Sequence, residues 1–368
     1  MMFTGNNQFD FQIQRFTSLY IEDEEVQNDR KEIGKKIVEF VSWKSWWLER
    51  ASYYEKTGKL NIASSYYKAA MFYLTLEDPD REDIYQSFQR TFYTSFSDFD
   101  YERDAVPYQD GYLPTLLLKN PRASKTLLVM GGFDGFLEEI AGFFGKMKDT
   151  DYNILIFDGP GQGNTISQGL RFTPNFHEPV AAVLDYFKLD QVDAMGLSWG
   201  GFLVMQAASM EKRIRKVIAM DIFYSPMDAL KMNLGNILFA ILSIMINLRA
   251  KYLINPIIKQ IANNRIDLKW ELQNGYMLTG ESNPYDLIRN LKNHNVGKYL
   301  AQVTQDCLLL VGQDDHYVPY HRIADILLGL KNARSIQVKV FTKKSGGEEH
   351  CQVGHMDLAF VEIKHFLS

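Results

Sequence analysis

Hydrophobic positions change their spacing once along this chain, near residue 105. Before it, aromatic and small residues recur three and four apart in "VSWKSWWLERASYYEKTGKLNIASSYYKAAMFYL", the repeat of an amphipathic helix, with Gly58 as the break. The pattern predicts a helical hairpin whose faces carry Trp43, Trp47, Tyr54, Ala63, Tyr67 and Ala70. Those aromatics are read as helix-packing core rather than as a ligand box. No second copy of the unit follows, so it is not a solenoid. Beyond residue 105, short apolar runs alternate with helical patterns. "KTLLVMGG" (125–132), "YNILIFDGPGQG" (152–163), "VDAMGLS" (192–198), "KVIAMD" (216–221), "DCLLLVGQDD" (306–315) and "IQVKVF" (336–341) are the candidate strands. Nearly continuous apolar strands suit a parallel sheet covered on both faces. "FLEEIAGFFGKMK" and "NFHEPVAAVLDYF" are helical patterns lying between them. The sum is an α/β fold with a mostly parallel central sheet and right-handed crossovers.

One interval breaks the alternation. The stretch from Asp221 to Asp306 is too long for a single crossover helix, and it holds the apolar run "ILFAILSIMI" and the segment "INPIIKQI". It reads as a helical lid inserted above the carboxyl edge of the sheet. The expected organisation is a helical N-terminal domain over 1–104, an α/β core over 105–221 and 300–368, and a lid over 222–299.

Composition adds exclusions. The 368 residues are 46% apolar, 13% aromatic and 23% charged, which suits a well-packed soluble protein. A net charge of −5 gives no basic excess for phosphate backbones, so nucleic acid is not an expected partner. The two cysteines, Cys307 and Cys351, form neither a disulfide framework nor a metal cluster. His177, His294, His316, His321 and His365 follow no metal-ligand spacing. The start "MMFTGNNQFDFQIQRF" lacks the charge-then-apolar order of a secretory signal. The run Ile237 to Ile246 is shorter than the roughly 20 apolar residues a bilayer needs. A cytoplasmic protein with no membrane span is expected. Aromatics between the helical hairpin and the lid make a homodimer a further expectation.

The candidate chemistry centres on "VDAMGLSWGGF". A lone G-x-S-x-G is weak, but here a strand pattern precedes it and "WGGFLVMQAASM" continues as a helix. Strand, sharp turn and helix form the context of a nucleophile elbow, with Ser198 at the bend and Gly196 and Gly200 allowing close approach. A serine hydroxyl needs a base, and the base needs an orienting group. The expected order after such an elbow is acid, then histidine. The chain supplies Asp314 and Asp315 after the strand "CLLLVG", then His350 and His355 after "IQVKVF". Asp221, ending an earlier strand, is a rival acid. The oxyanion hole would use the N–H groups of Trp199 and Phe133. Asp134, in "GGFDG", is a candidate for binding a substrate hydroxyl or bracing its loop. Asp158 and "GPGQG" fit no phosphate-loop spacing and read as a tight strand-to-loop turn.

These motifs carry a resemblance. "GGFDG", "FDGPGQG", "GLSWGG", "VGQDDHYVP" and "EEHCQVG" make most of the chain resemble the α/β-hydrolases with a helical N-terminal domain. That branch includes fermentation-respiration-switch-like esterases, the 2,6-dihydroxypseudooxynicotine C–C hydrolase, fungal polyketide-shortening hydrolases and proteins labelled acylaminoacyl-peptidase-like. The resemblance implies Ser198 as nucleophile, Asp315 as the acid of G-x-x-D-x-x-V-P, and His350 as the histidine of H-C-Q. His355 would then start the last helix.

The expected activity is hydrolysis of an ester or thioester of an apolar or aromatic acyl group, with no cofactor. The substrate would be a small molecule or a short acyl peptide. Amide cleavage and C–C cleavage of a ketone are alternatives. The amide reading is weakened because a helical N-terminal segment cannot be the β-propeller that gates oligopeptide access in that relative. A non-catalytic interaction protein on a hydrolase scaffold is the competing class.

Overall fold

The computed structural model describes residues 3–97 and 99–368, the side chain of Lys146 excepted. Contacts divide the chain into two units, Met1–Asp100 with Ile261–Asn274, and Tyr101–Gln260 with Gly275–Ser368. The first is helical: α1 (Asn7–Thr17), α2 (Glu24–Glu32), α3 (Phe40–Lys56), α4 (Leu60–Met71) and α5 (Arg81–Ser95). Asn6 and Asp23 cap α1 and α2 by accepting from N–H groups of the first turn, the groups with no partner inside the helix. The predicted hairpin is α3–α4, and Gly58 between them takes φ +80°. Trp43, Trp47, Tyr54, Ala63 and Ala70 are fully enclosed, so these aromatics are core. Asp29 is buried among them, accepting from the hydroxyls of Tyr54 (2.7 Å) and Tyr66 (3.0 Å) and paired with Arg50 (2.7 Å).

The second unit is built on one sheet. Its strands are β1 (Tyr101–Tyr108), β2 (Gly111–Leu118), β3 (Lys125–Met130), β4 (Tyr152–Phe157), β5 (Val192–Leu197), β6 (Ile214–Met220), β7 (Asp306–Gly312) and β8 (Ser335–Phe341). Their order is β1-β2-β4-β3-β5-β6-β7-β8. From β4 to β8 every neighbouring pair is parallel, and β3, β5, β6 and β7 are buried along most of their length, as continuous apolar runs predict. The antiparallel hairpin β1–β2 is an addition to the predicted strands. It places the first core strand at Tyr101 rather than after residue 105.

Between the strands lie α6 (Leu137–Phe144), α7 (His177–Tyr186) and α8 (Trp199–Met210). The long interval after β6 is helical, as expected, with α9 (Pro226–Asn247), α10 (Lys251–Asn263), α11 (Ile266–Thr279) and α12 (Pro284–Leu291). It is not one body, because Ile261–Asn274 groups with the N-terminal helices. By length and composition α9 could cross a membrane, which the short apolar run did not suggest. Gly235 breaks it, at φ 76° and ψ 167°, leaving residues 236–247 as its longest regular piece. α13 (Arg322–Gly329) and α14 (Met356–Leu367) complete the fold. In this sheet the loops after β3, β5, β6, β7 and β8 carry Gly132, Ser198, Asp221, Asp315 and His350. Parallel strands bring those loops to one edge.

Candidate active site

β5 runs into α8 through a single residue, Ser198, held at φ 60° and ψ −122°. A non-glycine residue there is strained and persists only where its surroundings over-determine it. The Ser198 N–H donates to the Met220 carbonyl (2.8 Å), and its own carbonyl accepts from Gly201 N–H (2.8 Å). The flanking glycines are required by close approach. A Cβ on Gly196 would lie 1.8 Å from the Gly200 carbonyl oxygen, and one on Gly200 would lie 2.6 Å from that of Met130. The turn therefore lifts the Ser198 hydroxyl at the amino end of α8.

The residues proposed from sequence converge there. His350 Nε2 is 2.8 Å from Ser198 Oγ, and His350 Nδ1 is 2.6 Å from Asp315 Oδ2. The other Asp315 oxygen accepts from the backbone N–H groups of Tyr317 (2.7 Å) and Val318 (2.9 Å), which fixes the carboxylate in its turn. Burial disfavours the charged His350 ring, but the Asp315 carboxylate outweighs it and holds the imidazole above its ordinary value of 6.5. The rivals fall elsewhere. Asp314 is exposed and pairs with Lys343 (3.0 Å), and His355 is the exposed N-cap position of α14.

Asp221 approaches the triad without joining it. One oxygen accepts from Gly312 N–H (2.9 Å), and the other from Cys351 N–H (2.7 Å) and the Gln352 amide (3.1 Å). It thus ties the end of β7 to the residues just after His350. Burial first, and the Asp315 charge second, push its carboxyl up to about 7. Asp221 and Cys351 both adopt positive φ, 55° and 49°, so this junction is locally strained. The ligand atoms of Asp221, His350 and Cys351 lie within 4.8 Å of one another. Hydrogen bonds already occupy both Asp221 oxygens and both His350 nitrogens, so the group serves as a scaffold rather than a metal centre.

Two features of the loop after β3 bear on oxyanion binding. A Cβ on Gly132 would sit 3.2 Å from Ser198 Oγ, so this loop lies against the hydroxyl, with Phe133 next in the chain. The loop is held from behind by Gln162, whose amide donates to the carbonyls of Gly131 (2.6 Å) and Gly132 (3.2 Å). Sequence reasoning read "GPGQG" as a turn and missed this role. No sequence signal marked it, because glutamine is mostly a surface residue and the burial of Gln162 shows only in the fold. Asp134 is half-buried on the same loop. Aromatic rings pack on the residues of the site: Trp199, next to Ser198 in the chain, stacks on Phe172 (5.4 Å, 7°), Phe133 is 5.8 Å from Trp199, and Phe223 is 6.0 Å from His350.

This sheet and site define an α/β-hydrolase-type enzyme. The profile of the alpha/beta hydrolase fold matches residues 127–341, more than half of the chain, and the chain belongs to that family. Among curated relatives, the hydrolase acrC of Aspergillus aculeatus is 26% identical over 204 residues, 52% of this chain and 47% of the relative. The 20-hydroxy-prefusarin hydrolase FUS2 of Gibberella moniliformis is 26% identical over 273 residues, 69% of this chain and 64% of the relative. The chain thus spans roughly half to two thirds of the length of the curated relatives it matches. Among solved structures, AbyA5 superposes with a TM-score of 0.72 at 16% identity, covering 98% of this chain and 95% of that one. The 2,6-dihydroxy-pseudo-oxynicotine hydrolase gives 0.66 at 17% identity, covering 97% and 94%.

Proposed function

We propose that this hydrolase is a serine hydrolase acting on an ester or thioester of an apolar or aromatic acyl group. The observation that carries the reading is the unbroken path from Ser198 Oγ to His350 (2.8 Å) to Asp315 (2.6 Å). Ser198 attacks the acyl carbon while His350 Nε2 takes its proton, and Asp315 keeps the proton on Nδ1 and stabilises the imidazolium. The N–H groups of Trp199 and Phe133 stabilise the tetrahedral oxyanion, each donor contributing about 2.7–4 kcal/mol to the transition state. His350 then protonates the leaving group and activates the water that frees the acid. The Phe133, Phe172, Trp199 and Phe223 rings favour an apolar or aromatic acyl group over a charged one. Asp134 would meet a hydroxyl on that substrate. The same aromatic lining supports a second reading, cleavage of a C–C bond beside an aryl ketone.

The test is Ser198→Ala. Turnover of p-nitrophenyl acyl esters should fall by about 10³-fold or more, and fluorophosphonate labelling of the folded protein should disappear. Unchanged turnover would rule the mechanism out, and no labelling of folded wild type would favour a non-catalytic scaffold. Product analysis with an aryl ketone separates the two bond classes.

A further inference from the structure

We propose that the outer face of α9 and α10 docks on an anionic lipid surface. The exposed apolar side chains of α9 and of the turn after it are large: Ile237 (78%), Leu238 (56%), Ile241 (49%), Ile244 (59%) and Leu248 (74%). Their opposite faces are also apolar, with Leu242, Ile246, Ile254 and Ile258 buried. A helix apolar on both sides has one face for its own protein and a second for something else.

Charge indicates what that something is. No charged residue lies between Lys231 and Arg249, and from Ala229 to Gln260 there is no Asp or Glu at all. The charges in that stretch are Lys231, Arg249, Lys251 and Lys259, a local excess of cations on a chain whose net charge is −5. The acid just before it, Asp228, is held by Arg322 (2.6 Å). Lys251 has Asp286 for a partner (2.6 Å), and Lys259 and Arg249 are exposed. An apolar strip bordered by cations suits acyl chains beneath anionic headgroups. A second copy of the chain would set the same cations against each other. Tyr252, 93% exposed at the start of α10, stands where an aromatic ring meets the headgroup boundary.

Geometry decides between lying on the surface and crossing it. With the break at Gly235, the regular piece 236–247 is about 18 Å long, short of the roughly 30 Å hydrocarbon core. The Asp228–Arg322 pair fixes the stretch before the break to α13, so the segment after it can rest in the headgroup plane.

The inference is independent of the proposed chemistry and is tested by binding alone. The full chain is floated with phosphatidylcholine vesicles with and without phosphatidylglycerol, at low and high salt. Binding to the anionic vesicles that weakens with salt is expected. The double variant Ile241→Asp/Ile244→Asp should not bind, and Arg249→Gln and Lys259→Gln should each bind about fivefold more weakly. The two Gln variants alter exposed side chains and carry the test alone if the Asp variant fails to fold. Absence of vesicle binding by folded wild type would overturn the proposal. So would light scattering that finds a stable dimer in lipid-free solution which Ile241→Asp/Ile244→Asp converts to monomer.

Discussion

In the proposed mechanism Ser198 works only if its neighbours keep it at φ 60°, and Gly196 shows how narrow that tolerance is. In Gly196→Ala the new methyl would fall 1.8 Å from the Gly200 carbonyl oxygen, a backbone atom that no side-chain rotation can move. We expect a loss of roughly 3 kcal/mol or more in stability, read from thermal melts, together with loss of fluorophosphonate labelling. The acid assignment makes an equally direct prediction. Asp315→Asn should lower kcat by about 10³- to 10⁴-fold, whereas Asp314→Asn, exposed and paired with Lys343, should leave it unchanged. The sign of the pH dependence follows from His350. In the proposed mechanism its ring must be neutral to accept the Ser198 proton, so activity should rise as pH rises through its pKa. Asp315 holds that pKa above 6.5, so the acid limb of kcat/KM should lie above 6.5 in the wild type and move lower in Asp315→Asn. Ser198 was legible from the strand–turn–helix geometry of its elbow, whereas the choice of Asp315 over Asp314 and of His350 over His355 came from the family resemblance. The work of Asp221 was not legible, since three hydrogen bonds to Gly312, Cys351 and Gln352 depend on a convergence that no spacing records.

The loop after β3 is positioned from outside itself, and that gives a test of oxyanion binding distinct from the triad. Gln162→Ala removes the two bonds to the Gly131 and Gly132 carbonyls while leaving Ser198, His350 and Asp315 untouched. If Phe133 N–H serves the transition state, a displacement of about 1 Å should lower kcat by around 10²-fold with little change in KM. A merely structural role for Gln162 would lower the melting temperature and spare kcat in the surviving fold. The parallel strands were readable because burial on both faces leaves continuous apolar runs such as "LLVM" and "CLLLV". The hairpin β1–β2 was not read. Its pattern is only partly buried and contains Pro107 and Pro114, which weaken a strand signal. The overlooked cue was "QDG": Gln109, at φ 52°, and Asp110 form the two-residue turn, and Gly111 opens β2.

The chain passes between its two units more than once, and this limits how the molecule can be divided. Ile261–Asn274, far along the sequence and inside the interval read as a lid, belongs to the N-terminal unit, where Trp270 stacks on Phe72 (5.3 Å, 19°). The apolar content of 222–299 was visible in the sequence. Its partition was not, because Trp270 and Leu268 look like any other buried helix positions until their partners are known. The consequence is testable by removing either half of that packing. Trp270→Ala should cost the helical unit about 3–5 kcal/mol, seen as faster hydrogen exchange in α3 and α4. A shortened chain starting at Tyr101 keeps every triad residue but takes Phe72 away from Trp270, so it should bind a hydrophobic dye and aggregate. If that shortened chain instead stays monomeric and dye-free with its labelling intact, the N-terminal helices are a separable addition. Aggregation together with the Trp270→Ala loss would mean that the hydrolase core cannot be folded without them.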